Sequence, residues 1–201
     1  MKNKLYLGST SKSRQMLLKE ALIPFEMVGH RADEEEVDRS LPFKELLAAI
    51  ARHKMDYVVL PAMHDGGHVF VLTADSMGID GDGVVHGKPK DKEDAIKKIK
   101  ALGEQSTTAT AFCLDKKVFK DGIWQVETRI EKCVEATYKF VVPDNWIERY
   151  LEHSWAMIAS GAIAIELYGN QFLQSVNGSY STIVGLPMYE LREALEEIGF
   201  Y

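Results

Sequence analysis

Ser9, Thr10, Ser11, Lys12 and Arg14 stand together directly after the apolar run Leu5-Tyr6-Leu7 and Gly8. Three hydroxyls and two cations at a strand-to-helix junction suit an anion, because such a junction exposes unpaired backbone N–H groups at the positive end of a helix dipole. Ser9 or Ser11 would equally serve as a plain helix cap. Further along, charges stand where charges are costly or confined. Lys54 lies three and four residues from Ile50, Ala51, Tyr57 and Val58, which puts its ammonium on or beside an apolar helical stripe. Such a lysine either snorkels to water or meets an anion, since an unpartnered buried ammonium is strongly unfavourable. Asp75 closes the run "HVFVLTAD"; binding crevices in α/β sheets open at strand C-termini, although a carboxylate there also serves as a turn cap. Lys88 is held between Gly87 and Pro89, whose ring stiffens the backbone; a solvated loop lysine is the plain alternative. Asp33 and Glu34 lead an acidic run, "ADEEEVD", that would ordinarily be a solvated helix start.

Other chemistries find no footing. "GDGVVHGKP" has Asp82 where a Walker A loop needs glycine and Pro89 where it needs Ser or Thr. "HDGGH", residues 64–68, reads as a glycine-containing turn rather than a metal pair, and there is neither an H-E-x-x-H nor a G-x-S-x-G motif. Two cysteines, Cys113 and Cys133, each inside a strand-like run, indicate neither a disulfide framework nor a zinc site.

The elements that must position these residues alternate between helix and strand. "IPFEMVGH" reads as a strand, and Phe43, Leu47, Ile50, Ala51, Tyr57 and Val58 mark a helix. "HVFVLTAD" is a strand ending at Asp75, "IDGDGVV" a hairpin-type turn, and Asp91 caps a helix carrying Ala95, Ile96, Ile99 and Leu102. From Val126 to Phe140 the even positions are mostly apolar, the period of a long antiparallel strand with one wet face. "PDNWIERYLEH" is a helix; "FLQSVNGSYSTIVGLP" reads as strand, Asn177-Gly178 turn and short strand; Pro187 opens a terminal helix. Arg14, Leu17, Leu18, Ala21 and Leu22 carry the helical spacing of the opening unit.

At 201 residues and 46% hydrophobic, the chain buries a real core without repeats or low-complexity linkers. A net charge of −6 argues against a sequence-independent nucleic-acid binder, though a local cation cluster still suits a small phosphorylated ligand. The opening apolar run is too short for a signal peptide, and no segment reaches membrane-span length, so a soluble, cytoplasmic protein is expected.

Taken in order, six stretches resemble the Maf family of nucleoside-triphosphate pyrophosphatases, once named for an effect on septum formation: "LGSTSKSR", "ADE", "ARHK", "TADSM", "HGKPKDKEDAI" and "GSYSTIVGLP". They run in register from residue 5 to about 199. Departures from the family pattern are Lys12 where proline is usual, a single Arg14 where arginines are often paired, Thr110-Ala111 for a Thr-Gly pair, and "SGAIAIE" without an aromatic or lysine.

The resemblance implies an α/β fold, an elongated mixed sheet flanked by helices, with residues 1–201 forming one Maf-like domain of two lobes around a central cleft. It implies hydrolysis of a non-standard, modified or pyrimidine nucleoside triphosphate to the monophosphate and pyrophosphate, a house-cleaning reaction. It further implies catalytic roles for Glu34, Asp75 and Lys88, with Glu34 and Asp75 carrying Mg²⁺ or Mn²⁺. Ser9, Ser11, Lys12, Arg14, Lys54, Ser76 and Glu166 would bind substrate. A homodimer is the assembly common in such families, with no membrane or nucleic-acid partner expected. The competing reading, suggested by the departures, is a nucleotide-binding regulator of division with weak or no catalysis.

Overall fold

The computed structural model describes residues 3–103 and 106–201. A seven-stranded sheet runs in the order β2-β1-β3-β5-β6-β7, with β4 paired to β3, and helices flank it, as expected of an α/β chain. β1 (Leu5–Leu7) lies between two parallel neighbours, β2 (Phe25–Met27) and β3 (His68–Ile79), with Leu5 in register with Phe25 and with Phe70. A parallel strand covered on both faces must be apolar throughout, which is why Leu5-Tyr6-Leu7 carries no alternation.

α1 (Lys12–Glu20) follows, capped by the Ser11 side chain, which accepts from the Arg14 amide at 3.4 Å. It ends earlier than the apolar spacing suggests. Ala21 is the C-cap, and Leu22 takes the left-handed conformation (φ 56) with 88% of its surface exposed. The amides of Leu22 and Ile23 return to the carbonyls of Lys19 and Leu18, a Schellman ending that turns the chain so that Ile23 is buried.

α2 (Phe43–Asp56) buries Leu46, Leu47, Ile50, Ala51, Lys54 and Met55, whereas Tyr57, expected on that stripe, is the exposed C-cap. β3 does not stop at Asp75 but continues to Ile79, because β4 (Val85–His86) pairs antiparallel with its end, Gly78 opposite His86 and Ile79 opposite Val85. α3 (Lys92–Leu102) is capped by Asp91, whose side chain accepts from the Asp94 amide at 2.8 Å. β5 (Ser106–Lys120) and β6 (Ile123–Phe140) are the long strands; the period of two in β6 buries Ile130, Ala136, Tyr138 and Phe140 but leaves Val126 out.

α4 (Ile147–His153) precedes β7 (Leu173–Asn177), which pairs antiparallel with β6. The short strand expected after Asn177-Gly178 is instead a helical turn, α5 (Tyr180–Val184), with Thr182, Ile183 and Val184 buried. Those β-branched residues are buried by folding back over Ser179, whose carbonyl takes the Thr182 amide, so packing overrides their strand preference. α6 (Met188–Glu197) follows Pro187 as expected. Among the described residues no helix is long and apolar enough to cross a membrane.

The chain divides into two compact units. The first holds the described residues up to Asp75 with Ala111–Cys133 and Gly185–Tyr201. Its core gathers Leu5, Leu7, Leu18, Leu47, Ile50, Met55 and Leu72, all essentially inaccessible, with the rings of Phe70, Phe112 and Phe200 buried alongside. Each such side chain contributes about 1.5–3 kcal/mol of transfer free energy on burial. The second, Ser76–Thr110 with Val134–Val184, is centred on an aromatic cluster in which Phe172 contacts the rings of Phe140, Trp146 and Tyr150 at centroid distances of 6.1, 6.0 and 5.6 Å.

Candidate active site

The loop after β1 is built tightly. The Gly8 amide donates to the Leu72 carbonyl at 2.8 Å, and a Cβ at Gly8 would lie 2.8 Å from Thr73 Cγ2, so a side chain does not fit there. Ser9 is buried, and its Oγ accepts from the Ser11 amide (3.2 Å) and from Arg14 Nη1 (3.0 Å). Arg14 is also buried and donates from Nε to the Gly185 carbonyl at 2.9 Å. Gly185 sits at φ 128, a conformation that side-chain-bearing residues rarely adopt, which aims its carbonyl at the guanidinium. Ser9, Ser11 and Arg14 are therefore brought together, with Ser11 also performing the plain capping role. Lys12 opens α1 on its exposed side.

Lys54 does not snorkel. It is 7% exposed, and its ammonium lies 2.7 Å from Asp75 Oδ1 and 2.9 Å from Glu34 Oε1. The helix that carries it is tied to β3 two residues before Asp75, where Thr73 Oγ1 donates to the Ala51 carbonyl at 2.7 Å. Glu34 opens a 3-10 turn, Glu34–Glu36, capped by the Asp33 carboxylate on the Glu35 amide at 3.0 Å. Arg39 donates to the Glu34 carbonyl at 2.7 Å, leaving the Glu34 carboxylate to face Lys54. Burial pulls the Arg14 guanidinium below the usual arginine range, while the charges of Asp75 and Glu34 pull it back up. Two cations and two carboxylates thus share one electrostatic environment.

Asp75 Oδ2 is buried and, unlike Oδ1, has no hydrogen-bond partner. A carboxylate oxygen withdrawn from water and left unpaired is costly, so it marks a place where a ligand, a water or a cation completes the structure. Among the described residues no group of three or more His, Cys, Asp or Glu side chains is gathered for a metal. Glu34 and Asp75 are two hard oxygen donors facing the same ammonium, the donor type of which Mg²⁺ takes one or two while water and phosphate supply the rest.

The other three expected site residues belong to the second unit. Ser76 Oγ shares a 2.8 Å hydrogen bond with Thr110 Oγ1, which itself donates to the Thr182 carbonyl at 2.7 Å. Glu166 is 4% exposed. The segment before it is held by Tyr150, whose hydroxyl donates to the Ala162 carbonyl (3.0 Å) and accepts from the Ala164 amide (2.7 Å). Lys88 is exposed in the loop after β4, and its carbonyl accepts from Lys98 Nζ at 3.0 Å.

Sequence reasoning missed two participants. Gly185 is one: its carbonyl anchors Arg14, and a Gly-Leu-Pro turn was the only hint of it. His30 is the other. Its Nδ1 is buried without a hydrogen-bond partner, and burial, reinforced by the Lys54 charge, holds the ring below the usual histidine range. Nothing in "VGHRADE" distinguishes that imidazole from a surface one.

A buried guanidinium on α1 and a buried ammonium on α2 are gathered with the carboxylates of Asp75 and Glu34 in an α/β protein. Its kinship is specific: the family model described as "Maf-like protein" matches residues 4–198, and the chain belongs to that family. A protein of Hydrogenovibrio crunogenus named "dTTP/UTP pyrophosphatase" is 32% identical over 205 residues, spanning 100% of this chain and 99% of that protein. A protein of Fusobacterium nucleatum with the same name is 30% identical over 197 residues, spanning 98% and 96%. Among solved structures, "Structure of a HAM1 protein from Coxiella burnetii" is 11% identical, covers 97% of this chain and 99% of that one, and has a TM-score of 0.47, too distant a likeness to carry an argument.

Proposed function

We propose that this protein hydrolyses a nucleoside triphosphate to the monophosphate and pyrophosphate, with dTTP and UTP, the substrates in its relatives' names, as the first to try. The observation that carries the reading is Lys54: a 7% exposed ammonium bracketed by Asp75 and Glu34, with the second Asp75 oxygen unpartnered. A structural ion pair has no use for an orphaned carboxylate oxygen; a hydrolytic site does.

In the reaction a water oxygen attacks the α-phosphorus, the bond from that phosphorus to the bridging α–β oxygen breaks, and pyrophosphate leaves with the bond's electrons. The substrate brings about four negative charges, and positioning and charge neutralisation are most of what a protein contributes. Ser9 and Arg14, fixed by each other and by Gly185, bind the phosphate tail together with the α1 N-terminus. Lys54 neutralises phosphate charge while its two carboxylates hold it in place. Asp75 Oδ2 accepts a hydrogen bond from the attacking water and orients it. Lys88 supplies a further positive charge to the phosphates, and Ser76 and Glu166 contribute to substrate binding.

Arg14, Lys54, Glu34 and Asp75 sum to no net charge, so a polyphosphate needs added cations. Glu34 and Asp75 would hold Mg²⁺ or Mn²⁺, which when bound supplies that neutralisation and acidifies water.

The test is pyrophosphate release across a nucleotide panel with Mg²⁺ or Mn²⁺ present. Wild-type turnover of at least one triphosphate is expected, with Glu34→Gln shifting the metal titration to higher concentration. A wild-type protein that releases no pyrophosphate from any member of the panel overturns the reading.

A further inference from the structure

Lys88 lies two residues beyond His86, and His86 makes a contact that neither the reaction nor the family resemblance accounts for. His86 Nε2 is 2.7 Å from Asp80 Oδ2, with the two side chains only 13% and 9% exposed. The other oxygen of Asp80, Oδ1, accepts from the amides of Asp82 (3.0 Å) and Val84 (2.9 Å). One carboxylate thus closes the turn after β3 with one oxygen and grips His86, the last residue of β4, with the other. That grip and those amide bonds hold the Asp80 carboxyl below the usual carboxylate range, the His86 contact contributing most.

The backbone that follows is pinned at successive points. The His86 carbonyl accepts from Ser160 Oγ at 2.7 Å, and the Gly87 carbonyl from the Gly161 amide at 3.0 Å. The Lys88 carbonyl accepts from Lys98 Nζ at 3.0 Å, and the Lys90 amide donates to Asp94 Oδ2 at 2.9 Å. Lys98 is itself held by Asp94 at 2.7 Å. The first four of these bonds fix main chain, and no ion pair among the described residues involves the Lys88 ammonium. On β4 itself the imidazole–carboxylate pair ties the turn's own side chain to the start of the loop. A solvated loop lysine needs none of this support; a lysine that meets an anion at a set position does, because a preorganised charge binds its partner without first losing the freedom of its backbone.

We propose that the Asp80–His86 pair is a positioning device for Lys88, setting where its ammonium meets the substrate's phosphates. The inference rests on the reading of Lys88 as a phosphate-binding residue. Asp80 and His86 touch no substrate; they act through the loop.

The experiment is a double-mutant cycle on the full chain, with dTTP and UTP as probes and Mg²⁺ at saturation. His86→Leu removes the donor to Asp80 and is expected to raise KM about tenfold with kcat nearly unchanged, the pattern of lost ground-state binding. His86→Gln, whose amide can still donate to Asp80, restores KM to within about twofold. In a Lys88→Ala background His86→Leu adds nothing further, since the residue it positions is gone. Asp80→Asn keeps an oxygen for the two turn amides and replaces the charged acceptor facing His86 with a neutral NH2, so it moves KM the same way by a smaller factor even if His86→Leu fails to fold. Additive effects of His86→Leu and Lys88→Ala, or a KM untouched by His86→Leu while Lys88→Ala raises it, overturn the positioning role and leave the site reading intact. A KM untouched by Lys88→Ala itself removes the reading of Lys88, and this inference with it.

Discussion

Asp75 on β3 and Asp115 on β5 are two buried carboxylates in the same unit, and they are paired in opposite ways. Asp115 is 0% exposed, and both its oxygens are used: Arg129 donates from Nε to Oδ1 at 2.7 Å and from Nη2 to Oδ2 at 2.8 Å, with Lys117 at 3.3 Å from Oδ2. Arg129 also reaches Asp56 at 2.7 Å, tying the end of α2 to the long strands, and the Asp115 hydrogen bonds push its pKa above the ordinary arginine value. The neighbouring Cys113 thiol is pushed up by burial and then by the Asp115 charge, which makes it unreactive. Asp75 is slightly more open at 9%, faces a single ammonium, and keeps one oxygen with no partner. Burial alone would rank Asp115 as the more unusual residue. Saturation is what separates them: a charge whose hydrogen-bonding capacity is filled by its own chain holds the fold, and one left short has capacity for something else.

The comparison predicts opposite consequences for the same substitution. Asp115→Asn strands Lys117 and part of Arg129 without compensation, and is expected to cost about 3–5 kcal/mol of stability in urea titration with kcat per folded molecule retained. Loss of activity at unchanged stability would break the distinction. Asp75→Asn is expected to do the reverse, lowering kcat by about 10²–10³-fold while Glu34 keeps Lys54 paired and the fold loses little. Lys117→Met removes the longer of the Asp115 contacts and sharpens the assignment; with the Arg129 pair intact, about 1 kcal/mol of stability and no activity should be lost.

The smallest effect comes from the rim of the Asp115 network, where Arg52 meets Glu131 through two 2.7 Å bonds. That hydrogen bonding, with the Arg52 charge, holds the Glu131 carboxyl below its ordinary 4.5. A depressed carboxylate contributes stability that is present above 4.5 and is lost as pH falls through the lower folded value. Glu131→Gln should therefore cost about 0.5 kcal/mol at neutral pH, solvent screening included, and flatten the acid limb of the urea midpoint plotted against pH. An unchanged acid limb would show the rim to be energetically silent.

Local chemistry made much of the site legible. The Ser9–Arg14 loop could be read because strand, glycine, cap and helix follow one another along the chain. Lys54 stood out because helical periodicity puts a charge on an apolar face, and Asp75 because it closes an apolar run. Where sequence reasoning failed, the deciding contact came from elsewhere. β3 runs past Asp75 because β4 returns to pair with it. Tyr180–Val184 coil rather than extend because burial of Ile183 and Val184 outweighs their β-branched preference.

The linear order of residues by itself determined the α/β alternation, the caps of α1 and α3, and membership of a recognisable motif series, all set by interactions within a few residues. Only tertiary structure decided which buried charges are satisfied. Asp75 and Asp115 each end or interrupt an apolar run and look alike in the sequence; what differs is the number of donors that the fold brings within 3.3 Å of each, above all the Arg129 fork from β6 onto Asp115. Hydrogen-bond saturation depends on long-range geometry, and no local pattern encodes it.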